Sequence, residues 1–440
     1  MSIPVKKGSC FFIFTVVLYR LLLDWSYDAV ISEVWLYAGF ISNPDAVSVL
    51  LSWIFLAVIT GFSLDFFFDE YRISAKVMLV LFLLSAVPFT TLVAHRLCTM
   101  QFAFWNFLYF VLLFGSYHIL VHCKPVEVRI WKQPERDTVL KGITILFAIV
   151  ILYVSGHYTG FRFNFSLSNV YELRAEAAQH SMSTLLSYLF SWSRALIPVC
   201  LGIFVHKKKP DMVLLCIIAQ LLSFGFDGSK TPLFLAILAV IINILPRVIA
   251  EQINKYILIG VSAVVGLSLL IYLIFGNYIP CGYITRRVLF LPVQLETNYF
   301  DYFLDRTPDF FRASFLRHLG FQTPYPDLDN IIGAVYYNQP DMNCNSGLLS
   351  DAVSNLGYLG IVCMPLVLSF VLVLLDKCSR GLDPRIYLTT SLSIAMTLIN
   401  TNLFTALLTH GILMLMLLLA VTGRDCIPAL TEESERGGYS

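Results

Sequence analysis

Charged residues are scarce in this chain of 440 residues, and their scarcity excludes a water-soluble protein. Asp, Glu, Lys and Arg make up 13% of the sequence and hydrophobic residues 58%, whereas soluble domains are about 25% charged and 45–50% apolar. The net charge is +1 and no long basic block occurs, which excludes a protein that binds the phosphate backbone of nucleic acid. The sequence also lacks a P-loop and a Gly-rich dinucleotide-binding turn, so ATP-driven transport by this chain is not predicted.

The sequence instead contains many long apolar segments. A helix of about 20 apolar residues crosses a bilayer core of about 30 Å, and we place twelve such segments at 9–23, 46–64, 77–95, 102–122, 142–158, 185–205, 212–226, 233–247, 256–276, 359–375, 386–403 and 405–421. The expected fold is an all-α, polytopic integral membrane protein with about 12 transmembrane helices. Residues 1–276 would hold helices 1–9 and a smaller outer loop at 160–183, residues 277–358 a large helical outer loop, residues 359–423 helices 10–12, and residues 424–440 a polar tail.

The basic residues predict which loops share a side of the membrane. Most of them lie on one side of the twelve-helix arrangement, at 6–7, 72–76, 124–141, 207–209, 247–255, 377–385 and 424–436. Because short cytoplasmic loops are rich in Lys and Arg, we expect both termini in the cytoplasm. Arg20, near the outer end of the first segment, is expected to snorkel and pair with Asp24.

The large outer loop contains a predicted amphipathic helix that begins near Pro292, a residue suited to a first helical turn. Its polar face would carry Gln294, Thr297, Asn298, Asp301 and Asp305, and its apolar face Val293, Leu295, Tyr299, Phe300, Tyr302 and Phe303. Such a helix lies on the membrane surface or caps the spans. Glu296 falls on the apolar face, where a carboxylate must snorkel, pair or have a raised pKa.

Several arginines and a lysine lie outside the predicted cytoplasmic side, where topology does not require them. Guanidinium groups bind phosphate oxygens in bidentate fashion, so we predict a diphosphate site built from Arg162, Arg174, Lys230, Arg286 and Arg287 with Arg194 inside the sixth span. The alternative for each is an ordinary ion pair or a contact with lipid head groups. The carboxylates available for pairing are Glu172, Glu176 and Asp227.

Metal chemistry is not predicted on the outer side, because no His-x-x-x-His, Cys-x-x-Cys or Asp-x-Asp pair with a ligating role is found there. Cys281 and Cys344 share the large loop and would form a disulfide if that compartment were oxidising. His410 lies in the last span, where a structural and a functional role are equally open.

A set of ordered segments resembles the O-antigen polymerases of bacteria, the Wzy-type oligosaccharide repeat-unit polymerases. The segments are RRVLFLPVQLETNYFDYF, PYPDLDNIIGAVYYNQPDMNCNSGLLSDAVSNLGYLGIV, YELRAEA, GSKTP and LFTALLTHG. They extend from about residue 171 to 411 in the order of the family, whereas the first 150 residues are similar to it in hydropathy alone.

The resemblance implies a metal-independent glycosyltransferase of the multi-span, lipid-phosphosugar-using class (class C-like) in the bacterial inner membrane, with no cofactor. It would transfer a growing glycan from undecaprenyl diphosphate to a new undecaprenyl-diphosphate-linked repeat unit at the periplasmic face, with a chain-length-determining co-polymerase as partner. The residues that match the diphosphate role are Arg174, Lys230, Arg286 and Arg287, with Arg194 added from its place in a span. The candidate bases are Glu172, Glu296, Asp301 and His410, and the candidate sugar-binding residues are Asn343, Asn345 and Asp351, for which turn and helix-capping roles are equally open.

Two other functions remain open from the sequence. An O-antigen ligase needs the same diphosphate site and base. The motif resemblance is the main reason to prefer a polymerase over a ligase. A lipid-linked oligosaccharide flippase or secondary transporter would show internal repeats and polar groups at the midplane, and neither is evident here.

Overall fold

The computed structural model describes residues 8–123, 133–162, 179–246, 252–325, 328–379 and 382–421, together with residues 173, 176 and 177. All regular secondary structure in these ranges is helical. The predicted all-α class is therefore confirmed for the described part of the chain.

Nine of the described helices are long and apolar enough to cross a membrane. Eight of them precede the large loop, and one shorter helix lies among them. In chain order the nine helices are α1 Ser9–Val34, α2 Ala46–Phe67, α3 Ile73–Ala94, α4 Met100–Val121, α5 Gln133–Thr159, α6 Thr184–His206, α7 Pro210–Asp227, α8 Lys230–Ile244 and α9 Ile253–Phe275. Helix α8 is apolar but has only 15 residues. The remaining long helix, α12, follows the large loop. A polytopic membrane protein is confirmed, and twelve spans remain a prediction.

The loop and the C-terminal part add seven helical elements that the description uses. They are a π-helical stretch at Gly282–Phe290, hereafter the π-segment, then α10 Leu291–Phe303, α11 Leu328–Tyr337, α12 Leu349–Ser379, α13 Pro384–Asn400, α14 Leu403–Leu408 and α15 Ile412–Val421. The last predicted span, 405–421, is wrong as one continuous helix. It is interrupted before α15 at Gly411, whose φ of 77° is in the left-handed region.

Helix α12 begins ten residues earlier than the predicted tenth span. Its first two turns carry Ser350, Asp351, Ser354 and Asn355, so their hydropathy does not resemble a span. Gly357, with a φ of 59°, then introduces a kink before the apolar part. The predicted loop 277–358 is correspondingly shorter in the structure.

Two groups of helices build the bundle. Helices α1, α2, α3, α4, α9, α10 and α12 form the first group, and α5, α6, α7 and α8 the second, while α13 packs against both. Helix α3 is central, because its most apolar stretch is entirely buried. The rest of the first group encloses α3, and α10 packs across α12 and α4.

Arg20 pairs with Asp24 as predicted, with 2.9 Å between Nε and Oδ1, but it does not snorkel. Its side chain is fully buried, and its Nε also donates to Thr91 Oγ1. The expectation of snorkelling is wrong because neighbouring helices supply polar partners inside the bundle, which removes the need to reach water.

Candidate functional site

The π-segment brings Arg286 to the end of the bundle where the large loop lies. Trp35, just beyond α1, packs along one side of this segment: its ring lies 5.0 Å from the guanidinium carbon of Arg286 and 5.8 Å from the ring of Tyr278. Gly282 makes the contact possible, since a Cβ at this position would lie 2.8 Å from the Trp35 ring. Stretches of π-helix are rare and are frequent at functional sites.

Neither Arg286 nor Arg287 forms an ion pair with a carboxylate in the described part of the chain. Arg287 is exposed, and Arg286 is half-buried with its Nε lacking a hydrogen-bond acceptor. Partial burial lowers the pKa of Arg286, and the charge of Arg287 lowers it further. An arginine remains charged despite such a shift, so two adjacent positive charges are available to an anion.

Helix α10 confirms the predicted amphipathic pattern. Val293, Leu295, Tyr299, Phe300 and Phe303 are buried, and the helix caps α4 and α12 rather than lying apart from the bundle. Pro292 lies in its first turn, as expected. Gln294 is the exception on the polar face, because it is buried. Its Nε2 donates to the Ala38 carbonyl oxygen at 2.8 Å, which satisfies this donor away from water.

Glu296 points into the bundle from α10 and is fully buried. Asn106 of α4 donates from Nδ2 to its Oε2 at 3.1 Å, while Glu296 Oε1 and Asn106 Oδ1 both lack a partner. Burial raises the pKa of Glu296 to about 8, and the Asn106 hydrogen bond opposes this only in part. Glu296 is therefore a buried carboxyl group with a raised pKa and one oxygen without a hydrogen-bond donor.

The exposed face of α10 meets two tyrosines of α11. Asn298 Nδ2 donates to Tyr337 Oη at 3.0 Å, and Tyr336 Oη donates to Asp301 Oδ2. Tyr337 also lies within electrostatic reach of Arg286. These contacts define one polar surface, hereafter the arginine–tyrosine surface, which consists of Arg286, Arg287, Asn298, Asp301, Tyr336 and Tyr337.

Arg194 belongs to a different cluster. Its Nη1 lies 2.8 Å from Asp227 Oδ2, and both side chains are about four-fifths buried. Asp227 also accepts from the backbone N and the hydroxyl of Ser229, which stabilises the turn before α8. The ion-pair alternative is realised for Arg194, and its role in diphosphate binding stays a prediction.

The other predicted residues do not join the surface. Lys230 and His410 are exposed near the Arg194 cluster, and Arg162 pairs with Glu176 at 2.8 Å. Asn343 and Asn345 are exposed in the segment before α12. Glu172 and Arg174 lie outside the described residues.

Asp351 is buried, and both of its carboxylate oxygens accept hydrogen bonds from within the protein. Oδ2 accepts from the Leu403 backbone N at 2.8 Å, and Oδ1 accepts from Asn355 Nδ2 at 2.8 Å. It joins α12 to the start of α14, so the capping alternative is correct. The disulfide is also absent from the structure: Cys281 is a buried thiol whose Sγ lies 3.6 Å from Ser268 Oγ.

Sequence reasoning missed four residues of this region: Trp35, Asn106, Tyr336 and Tyr337. Tyr336 and Tyr337 lie in the quoted segment AVYYNQP, where two adjacent tyrosines before a polar turn were a usable pattern. Trp35 and Asn106 are far from the loop in sequence, and no local pattern indicates their partners.

Comparison with known proteins gives no relative. No protein-family model, no curated protein and no solved structure matches this chain.

Proposed function

We propose that this protein polymerises undecaprenyl-diphosphate-linked repeat units into O-antigen or a related surface polysaccharide at the periplasmic face of the bacterial inner membrane. The observation that carries the proposal is the arginine–tyrosine surface, where two arginines with no carboxylate partner among the described residues lie on the same helical path as the exposed Asp301. The resemblance of this same region to the polymerase family supports it. The membrane-spanning bundle supplies the setting in which two lipid-linked substrates are confined and oriented.

The arrangement suits a displacement at a sugar carbon. The acceptor hydroxyl attacks the anomeric carbon, the bond from that carbon to the diphosphate oxygen breaks, and undecaprenyl diphosphate leaves. Arg286 and Arg287 would stabilise the negative charge that grows on the leaving diphosphate, because fixed positive groups act most strongly where charge develops.

Asp301 is the best-placed base among the predicted candidates that lie in the described part of the chain. It is exposed, whereas Glu296 is fully buried, and Tyr336 holds its carboxylate through a hydrogen bond. Asp301 would accept the proton of the attacking hydroxyl. At about 1.5 Å per residue, Arg286 and Asp301 are separated by roughly 20 Å along the helical path, so a lipid-linked substrate would have to extend along this surface to contact both residues.

The test supplies purified protein with undecaprenyl-diphosphate-linked repeat units and no nucleotide. A ladder of lengthening glycans is the expected product. A ladder that requires an added ATP-driven or gradient-driven component would contradict the proposal, and transfer to lipid A in place of the lipid-linked unit would identify a ligase.

The arginine assignment is tested by Arg287→Ala, which should abolish chain growth and leave membrane abundance unchanged. Arg317→Ala is the matched control, since Arg317 is an exposed arginine of the same loop outside the arginine–tyrosine surface. Normal ladders from Arg287→Ala would remove this residue from the diphosphate site.

A further inference from the structure

Two histidines at the end of α4 are not used by the proposed function: His118 lies in the last turn, and His122 is the residue that follows the helix. His118 and His122 are one turn apart, so their side chains share a face of the helix. Their rings are tilted by 54° with centroids 4.9 Å apart, and both residues are exposed. At about 1.5 Å per residue, His118 lies roughly 18 Å along α4 from Asn106, remote from the arginine–tyrosine surface.

The hydrogen bonds of the two rings determine which nitrogens carry protons. Nδ1 of His118 lies 2.5 Å from Asp65 Oδ2 of α2, and Nδ1 of His122 lies 2.7 Å from the His118 carbonyl oxygen. Both neighbours are hydrogen-bond acceptors, so each neutral ring carries its proton on Nδ1. The lone pair is therefore on Nε2 in both histidines.

This pattern is the one that metal-binding histidines show. A ligating histidine typically donates its other ring N–H to a carboxylate or a backbone carbonyl, which fixes the tautomer and raises the basicity of the ligand. Here one ring has a carboxylate and the other a carbonyl. The ring separation also fits, because two imidazoles bound to one ion at about 2.0 Å have centroids roughly 4.5–5 Å apart.

We propose that His118 and His122 bind one first-row divalent transition-metal ion through their Nε2 atoms, with Asp65 orienting His118. In the described residues no three His, Cys, Asp or Glu side chains converge on one point, so water would complete the coordination. Imidazole ligands suit Zn²⁺, Ni²⁺ and Cu²⁺ and do not suit Mg²⁺ or Ca²⁺. A bound ion would also strengthen the contact of α4 with α2, because it favours the tautomer that donates to Asp65.

The experiment is calorimetric titration of the full-length, detergent-solubilised protein without a polyhistidine tag. Zn²⁺ is expected to bind with a stoichiometry of one, Cu²⁺ more tightly and Mn²⁺ more weakly, following the usual order of divalent affinities. Ca²⁺ at the same concentrations should produce no saturable heat. Equal binding of Zn²⁺ and Ca²⁺ would overturn the proposal.

Variants separate this site from other metal-binding groups. His118→Ala and His122→Ala should each remove saturable Zn²⁺ binding, and Asp65→Asn should weaken it roughly 10–100-fold. His157→Ala is the matched control, because His157 lies on α5 with its ring stacked on Tyr153, and it should leave binding unchanged. Undiminished binding by the His118→Ala/His122→Ala double variant would overturn the proposal, and thermal unfolding of each variant without metal establishes that it is folded.

Discussion

Two regions of this molecule were expected to act together, and they differ in how their charges are satisfied. Arg194 and Asp227 are paired with each other, and Asp227 also accepts hydrogen bonds from the turn at Ser229. On the arginine–tyrosine surface, Arg286 stacks on Trp35 without a carboxylate, and Arg287 is exposed. The first arrangement resembles a structural ion pair and the second an incomplete anion site.

The difference shows that an arginine near a membrane surface indicates an anion-binding site only when its partners in the folded protein are known. A paired arginine contributes little charge to a ligand, since the nearby carboxylate cancels its field. An arginine held by an aromatic ring keeps its charge and its orientation together. We therefore assign function to the surface with unsatisfied groups and stability to the cluster with satisfied ones.

After the loss of chain growth expected from Arg287→Ala, the next largest effect should come from Asp301→Asn. If Asp301 is the base, chain growth should fall about 10²–10⁴-fold, while the amide oxygen still accepts from Tyr336 and the fold is retained. The measurement is the initial rate of ladder formation at equal amounts of folded protein. Full activity in this variant would move the base elsewhere, with His410 as the next candidate.

A second prediction concerns the Arg194 cluster. Asp227→Ala should lower the free energy of unfolding by about 3 kcal/mol, because it leaves a largely buried guanidinium unpaired, but activity per folded molecule should not change. Glu176→Ala breaks the more exposed pair with Arg162 and should cost less than about 1 kcal/mol. Denaturant unfolding of both variants measures the two losses in the free energy of unfolding. Equal losses would contradict the prediction that the Arg194–Asp227 pair stabilises the fold more than the Arg162–Glu176 pair.

The last prediction is a pH dependence of the free energy of unfolding that comes from Glu296. Burial raises the pKa of Glu296 in the folded protein to about 8, from the ordinary value of 4.5. Between these two pH values the folded protein holds a proton on Glu296 that the unfolded chain has lost. The stabilising contribution is complete below about pH 4.5 and is lost as the pH rises through 8, with a slope of at most about 1.4 kcal/mol per pH unit.

Glu296→Gln provides the control for this dependence. Glutamine mimics the protonated acid and can donate to Asn106 Oδ1, so the variant should unfold with a flatter pH profile than the wild type between pH 5 and about 8. Thermal midpoints measured across this range test the expectation. Identical profiles for both proteins would show that Glu296 is ionised in the folded state.

Much of the fold was predictable because its causes are local. Runs of apolar residues place the long helices, and the recurrence of polar residues in 291–303 predicts the amphipathic α10 with its buried Glu296. The predicted helix boundaries were wrong where a buried helix begins with polar residues, as at Asp351. They were also wrong where a glycine such as Gly411 interrupts an apolar run.

The site was less predictable because it depends on contacts between distant segments. Arg286, Arg287 and Asp301 were predicted and lie on one surface, whereas Trp35 and Asn106 were missed. The pairing of Arg194 could not be decided either, since it requires α6 and α7 to lie side by side.

Composition and periodicity alone determine that this chain is helical and belongs in a membrane, because 58% hydrophobic and 13% charged residues leave no other stable arrangement for its long apolar runs. The tertiary structure decides which of the few charged groups are neutralised and which remain available. The reason is physical: electrostatic interactions depend on the distance between groups and on their exposure to water, and both are set by how the helices pack.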